Sequence, residues 1–252
     1  MSVTGKGWTM HRGDCIAAMR EMADKSVDHV ITDPPYEAEA HTEYRTTRAV
    51  NDGRISDAAI DFVAMTDALR VDVACGCARV CSGWNLAFCQ IEGVSPWRDA
   101  FVDAGMRWRR AQVWIKPDSC PQFTGDRPAQ GFECIASAWC GSGKSKWNGG
   151  GRRGVYVHCV NSDGKNEHPT TKPLPLMLEL VNLFTNPGET ILDPFAGSGT
   201  TGVACLRLGR HFIGCEKDPK YFDLACDRLR AEEEGSTLHA RRAGQLPLLG
   251  GT

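Results

Sequence analysis

Short apolar runs alternate with amphipathic stretches along most of the chain, the pattern of an α/β fold. Residues 27–32 form an apolar run that predicts a strand. It stops at Asp33-Pro34-Pro35-Tyr36, because consecutive prolines fix φ and remove backbone donors. Helical periodicity predicts helices over 15–22 and 57–69, the latter with Ile60, Ala64 and Leu69 near one face. A further helix is predicted over 96–104, with proline at its start. Strands are predicted over 78–81, 111–115 and 134–139. The period then fails: residues 141–154 carry Gly-Ser-Gly-Lys-Ser-Lys-Trp and three successive glycines, which predicts a long loop. Order returns with a helix over 174–184 opened by Pro173, a strand over 190–193, a helix over 200–208, a strand over 210–216 and a helix over 219–229. The tail beyond Ala231 is charged and then rich in Gly, Pro and Leu. No internal repeat is visible.

With 252 residues, 42% hydrophobic and 24% charged, the chain suits one domain or one domain with a small insertion. No apolar run approaches the ~18 residues a membrane span needs. The first six residues lack the apolar centre of a signal peptide. Twelve cysteines follow no regular framework, so they read as reduced thiols of a cytoplasmic protein. Cys75, Cys77 and Cys81 match no common zinc spacing, and no metal is expected.

The net charge of −2 hides an uneven distribution. Between Asp14 and Asp72, 13 acids face 6 bases. Between Cys140 and Lys172 the balance reverses, with 6 bases and 2 acids. Arg107, Arg109, Arg110 and Lys116 form a second basic cluster. A protein that meets a polyanion with one face has this profile, and so does an ordinary solvated basic surface.

Gly197, Gly199 and Gly202 satisfy G-x-G-x-x-G between a predicted strand and a predicted helix, and Glu216 follows at the end of the next strand. Such glycines let the backbone approach a nucleoside cofactor, while the carboxylate takes the ribose hydroxyls. The loop alone does not separate a dinucleotide from S-adenosylmethionine. The Asp33–Tyr36 turn narrows the choice. Its strand should end at the carboxyl edge of a parallel sheet, where ligands bind. Asp33 offers a carboxylate, Pro34 a backbone carbonyl of fixed direction, and Tyr36 an aromatic face. Two acceptors can draw the nitrogen of an exocyclic amino group towards a nucleophilic geometry. Stacking on Tyr36 would return ~1–3 kcal/mol of the few that extruding a base costs.

These residues resemble the amino-group DNA methyltransferases, which act on adenine N6 or cytosine N4. Gly13-Asp14-Cys15, Ser26-Val27-Asp28 and the tetrapeptide resemble the family's amino-terminal block. Trp114-Ile115-Lys116-Pro117 and Phe132-Glu133-Cys134-Ile135 resemble its middle strands. His168-Pro169-Thr170-Thr171-Lys172-Pro173 resembles the segment before the cofactor loop. Asp193 to Thr201 resembles that loop, and Gly214-Cys215-Glu216 the ribose-binding strand. The order, tetrapeptide first and cofactor loop last, is similar to the permuted class called beta.

The resemblance implies a Rossmann-like α/β fold with a mostly parallel sheet, helices on both faces, and S-adenosylmethionine as cofactor. It makes Asp33, Pro34, Pro35 and Tyr36 the catalytic turn. It assigns the cofactor to Asp14, Thr171, Lys172, Asp193, Phe195, Gly197, Gly199, Thr200 and Glu216. Asp14 would meet the adenine, Glu216 the ribose, and Asp193, Thr171 and Lys172 the methionine end. Lys172 would pair with the cofactor carboxylate or simply stand in solvent. Residues 1–139 would form the catalytic half and 168–231 the cofactor half, with a tail over 232–252.

A short target-recognition insertion is expected over 140–167, where Lys144, Lys146, Trp147, Arg152 and Arg153 would contact DNA. Trp147 would either stack on a base or anchor its own loop. Full members carry a larger module there, and compact enzymes of this size resemble those of phages and mobile elements. The expected partner is double-stranded DNA, with room for a homodimer and a cognate restriction nuclease. Adenine N6 is favoured over cytosine N4 because the tetrapeptide begins with Asp. The more distant alternatives are an NAD(P)-dependent oxidoreductase, which leaves the tetrapeptide unexplained, and a methyltransferase acting on RNA or a protein amide.

Overall fold

A computed structural model describes residues 1–36, 64–160 and 172–236. Among them, nine strands pair into one sheet: β1 (Ser2–Gly5), β2 (Trp8–Arg12), β3 (His29–Thr32), β4 (Trp84–Cys89), β5 (Arg107–Ile115), β6 (Phe132–Trp139), β7 (Val155–Val157), β8 (Thr190–Asp193) and β9 (His211–Glu216). Their order is β1-β2-β9-β8-β3-β4-β6-β5-β7. The five strands from β2 to β4 in that order are mutually parallel. β6 is antiparallel to both its neighbours, β7 is parallel to β5, and β1 is antiparallel to β2. All strands except β1 and β6 therefore end at one common edge.

The helices are α1 (Cys15–Glu21), α2 (Asp67–Val80), α3 (Val94–Asp103), α4 (Leu174–Phe184), α5 (Thr200–Arg207) and α6 (Pro219–Glu233). Consecutive strand residues face opposite sides of a sheet, and here both sides are covered. Ile31, Leu86 and Ile191 join a core with Leu176 and Leu180 of α4, Val203 of α5 and Leu229 of α6. Val30, Ala87 and Leu192 join a second core with Met19 of α1, Val73 of α2 and Phe101 of α3. That is why the central strands read as continuous apolar runs rather than alternating ones.

Most predicted elements appear within a residue or two. The helix predicted over 57–69 does not: 57–63 lie outside the described residues, and α2 begins only at Asp67. Thr66 sets that start by accepting from Leu69 N at 3.2 Å, with Asp67 in the favoured first turn. The strand predicted over 78–81 is the end of α2, and the true strand is β4. The small residues there serve helix packing: a Cβ on Gly76 would lie 2.7 Å from Met19 Cε. The hairpin β1–β2 and the short β7 were not anticipated.

Chain direction separates two connections that the sequence does not distinguish. β5 and β6 join at the carboxyl edge, where Ile115 pairs with Phe132. β6 then runs back, so residues 140–154 leave at the opposite edge, where Trp139 pairs with Trp84 at the start of β4. The described residues contain no helix long and apolar enough to cross a membrane. All twelve cysteine thiols are free.

The third glycine of the fingerprint acts in packing. A Cβ on Gly202 would lie 2.6 Å from Phe212 Cδ1 and 2.7 Å from Leu229 Cδ2, between α5, β9 and α6. Gly202→Ala should therefore destabilise the fold by about 1–3 kcal/mol, the usual cost of overpacking, measured as a lowered midpoint in chemical denaturation.

Candidate active site

β3 leads on to β4 on one side of the sheet centre, and β8 leads on to β9 on the other. The crevice between β3 and β8 is thus the point where strand order reverses, the place where open α/β sheets bind ligands. The Asp33–Tyr36 turn follows β3 and the glycine loop follows β8, so both open on this crevice.

Asp193 fastens the two. It is 2% exposed, and its carboxylate accepts from Thr32 Oγ1 at 2.7 Å, Thr201 Oγ1 at 2.7 Å and Phe195 N at 3.1 Å. Burial pushes its pKa up to about 6, against the pull of those hydrogen bonds. Past Asp193 the loop turns through Gly197 and Gly199, whose φ values of 51° and 81° suit glycine. A Cβ on Gly197 would meet no atom within 4 Å, so the loop backbone there stands beside open space. Arg228 of α6 clasps the loop from behind, donating to Ser198 O at 2.7 Å, Ser198 Oγ at 2.9 Å and Thr200 Oγ1 at 3.0 Å.

Glu216 closes the side of the cradle at the end of β9. It accepts from Gly197 N and from Asp218 N, each at 2.8 Å. Two oxygens have more lone pairs than these bonds use. Burial raises the Glu216 carboxyl above its ordinary range, opposed by the backbone donors. Asp14 lies alongside: Gly13 N donates to Glu216 O at 2.9 Å, and Asp14 caps α1 by accepting from Ala17 N at 2.9 Å.

The other half of the site is built around an ammonium. Lys172, 9% exposed, donates to Asp33 Oδ2 at 2.7 Å and Tyr36 Oη at 2.9 Å. Its Nζ lies 3.2 Å from Glu133 Oε2. It also sits 5.4 Å from the Tyr36 ring centre and 5.0 Å from that of Phe88, within cation–π range. Lys116 donates to the other oxygen of Glu133 and lies 4.7 Å from the Trp114 ring. Two cations thus balance two carboxylates.

Burial opposes the charge on Lys172, but Asp33 and Glu133 hold its pKa well above the usual lysine value. Burial works against the Glu133 carboxylate too, yet Lys172 and Lys116 keep its pKa below the ordinary range. For Asp33 burial prevails and the pKa rises, with Lys172 pulling the other way and Glu133 adding to the rise. Asp33 Oδ1 is buried and has no hydrogen-bond partner among the described residues.

This corrects one expectation. The Lys172 ammonium is not solvated: it is buried against Asp33, Tyr36 and Glu133. Trp147, Lys144 and Lys146, expected to contact DNA from a short insertion, lie at the sheet edge opposite the Asp33–Tyr36 turn. The reversed direction of β6 takes their loop to the far edge, where Lys146 O accepts from Trp84 Nε1. There Trp147 packs on Phe184 at 5.6 Å and donates to Gly150 O at 2.9 Å, so it anchors its loop. Asn148 ties that loop to the end of α4 through Asn182 O at 3.0 Å and Thr185 O at 2.9 Å. Arg152 and Arg153 are exposed ahead of β7, and Arg152 pairs with Glu179 of α4 at 2.7 Å. Thr171 and His168 fall outside the described residues. Sequence reasoning noted Lys116 and Glu133 within the middle-strand motifs but gave them no role in the site, and it did not single out Arg228. The available signal was a lone carboxylate at the head of the apolar run Phe132–Trp139.

A family model described as DNA methylase matches residues 138–227. The type II methyltransferase M.Cfr9I of Citrobacter freundii is 28% identical, over 90% of this chain and 89% of its own. M.HinfI of Haemophilus influenzae is 26% identical, over 88% and 68% respectively. Among solved structures, the M1.HpyAVI–SAM complex superposes with a TM-score of 0.66 at 26% identity, covering 88% of this chain and 98% of that one. The cytosine-N4-specific PvuII DNA methyltransferase shares the fold, with a TM-score of 0.66 at 16% identity over 88% and 86%. The family model matches residues 138–227 and the relatives align along nearly the whole chain, so the chain is similar in sequence and fold to amino-group (N6/N4) DNA methyltransferases.

Proposed function

We propose that the protein methylates the N6 amino group of adenine in double-stranded DNA, using S-adenosylmethionine, with the target base turned out of the helix. The observation that carries this reading is Asp33 Oδ1: a buried acceptor without a partner, in a turn that shares its crevice with the glycine loop. An amino hydrogen of a flipped base is a donor that satisfies it.

The residues of the cradle suit a nucleoside cofactor. Open space beside Gly197 leaves room for a ligand against the backbone, and Glu216 retains acceptor capacity for ribose hydroxyls. Gly197, Gly199 and Phe195 would line the cofactor and Asp14 would border its base, while Asp193 and Thr200 hold the loop in shape. When bound, the cofactor supplies an electrophilic methyl group on a sulfonium. Asp33 Oδ1 and Pro34 O accept the two amino hydrogens, which turns the nitrogen lone pair out of the ring plane. Tyr36 supplies the stacking face. Asp33 Oδ1, with its raised pKa, takes the proton that the amino nitrogen sheds. Most of the acceleration comes from orientation.

The choice of adenine rests on the family resemblance, in which a serine at the head of the tetrapeptide goes more often with cytosine; the Asp33 carboxylate is the stronger acceptor for the amino N–H. Residues 1–139 provide the catalytic half and 168–231 the cofactor half of one domain. The connection over 116–131 opens at the catalytic edge and is largely exposed, with Phe123 at 67%. It is a second candidate for facing DNA, beside the basic segment that carries the exposed Arg152 and Arg153.

Sequencing host DNA with modification detection after expression should reveal N6-methyladenine at one short motif. N4-methylcytosine instead would overturn the choice of base. Asp33→Ala should abolish methyl transfer to oligonucleotide duplexes while S-adenosylhomocysteine affinity, measured by calorimetry, stays within about threefold, since Asp33 acts on the base and not on the cofactor. Tyr36→Ala should weaken productive base capture by ~1–3 kcal/mol. Tyr36→Phe should cost less, because it keeps the ring and loses only the hydroxyl that accepts from Lys172. Activity loss of equal size from both changes would mean the hydroxyl matters more than the ring.

A further inference from the structure

We propose that Glu133 and Lys116 form a positioning pair that sets the catalytic competence of Asp33 through Lys172, without touching substrate or cofactor. The inference rests on the reading that Asp33 accepts the target amino group. Lys172 donates to Asp33 Oδ2 and Tyr36 Oη, and Glu133 Oε2 stands 3.2 Å from its Nζ as an ion-pair contact without a hydrogen bond. One oxygen of Asp33 is consequently held by the protein, and the other is left for a ligand.

Without Glu133, Lys172 would face a single carboxylate and close on it fully. A carboxylate clamped by an undivided ammonium is a weaker acceptor and a weaker base. Glu133 divides the ammonium's attraction. Lys116 in turn fixes Glu133 by its other oxygen and neutralises the surplus negative charge. The low exposure of the partners (9% for the Lys172 side chain, 11% for Glu133 and 18% for Lys116) keeps water from screening these interactions. Topology supplies the geometry: β5 ends and β6 begins at the catalytic edge, bringing Lys116 and Glu133 under the turn after β3.

The charged groups around Asp33 are Lys172 ahead of α4, Glu133 on β6, Lys116 after β5 and Asp193 at the end of β8, with the neutral phenol of Tyr36 beside it. Their signs give two opposed expectations. Glu133→Gln removes a like charge and keeps the side-chain volume, so Asp33 becomes more acidic. Lys116→Met removes an opposite charge, so Asp33 becomes less acidic.

The test is the pH dependence of kcat on duplex DNA, with S-adenosylhomocysteine affinity and thermal midpoint measured alongside. Glu133→Gln should move the acid limb to lower pH and Lys116→Met should move it to higher pH, each by about one unit, the scale of a close charge in a partly buried site. At neutral pH, Glu133→Gln should lower kcat about tenfold through the weaker acceptor, with S-adenosylhomocysteine affinity within about threefold. Lys116→Arg should restore the wild-type profile. Limbs that stay in place, or that move in the same direction in both variants, would overturn the proposal. If Glu133→Gln fails to fold, the Lys116→Met and Lys116→Arg pair decides alone. Absence of any methyl transfer by the wild-type protein would refute the functional reading itself, whereas activity with unmoved limbs would refute only the positioning role.

Discussion

A lysine ammonium removed from water has to be matched by carboxylates, or it gives up its proton. That requirement organises the catalytic side of this molecule. Lys172 remains charged because Asp33 and Glu133 flank it, and those residues come from distant parts of the chain. The turn after β3, the head of β6, the end of β5 and the segment entering α4 must all converge on one point. Antiparallel β6 fits this need. A parallel strand would begin at the far edge and carry its second residue away from the crevice, whereas the reversed strand starts at the crevice and delivers Glu133 there.

The cofactor side follows the same logic with hydrogen bonds in place of ion pairs. Asp193 is satisfied by two threonine hydroxyls and one backbone N–H, so it fixes the distance between β3 and the loop after β8. Arg228 holds that loop from α6, and Glu216 holds Gly197 from β9. The cradle is therefore anchored to three separate elements, which limits how far it can shift when a ligand enters.

Much of this was legible in the sequence. The strand and the double proline placed the Asp33 turn, and the glycine loop with Glu216 placed the cradle, because both signals are local: a stop in periodicity, a spacing, a carboxylate after an apolar run. What was not legible depended on chain direction and on contacts distant in sequence. Nothing in residues 132–139 announces that the strand is reversed, so the sequence leaves open which sheet edge the basic segment after it occupies. The fate of Lys172 was hidden for the same reason, since its partners lie 139 and 136 positions away. Residues 78–81 misled because short runs of small and apolar residues suit a closely packed helix as well as a strand.

The reversal of β6 also divides the molecule's surface by the demands placed on it. Residues 140–148 are tied to Trp84 and to the end of α4 at the edge opposite the crevice, before the chain rejoins the sheet at Gly154 beside Val113. Changes of length or charge among their exposed residues fall away from the glycine loop and the Asp33 turn. That stretch is a natural site for grafting a label or an affinity handle, while the 116–131 connection, rooted beside Lys116 and Glu133, is not.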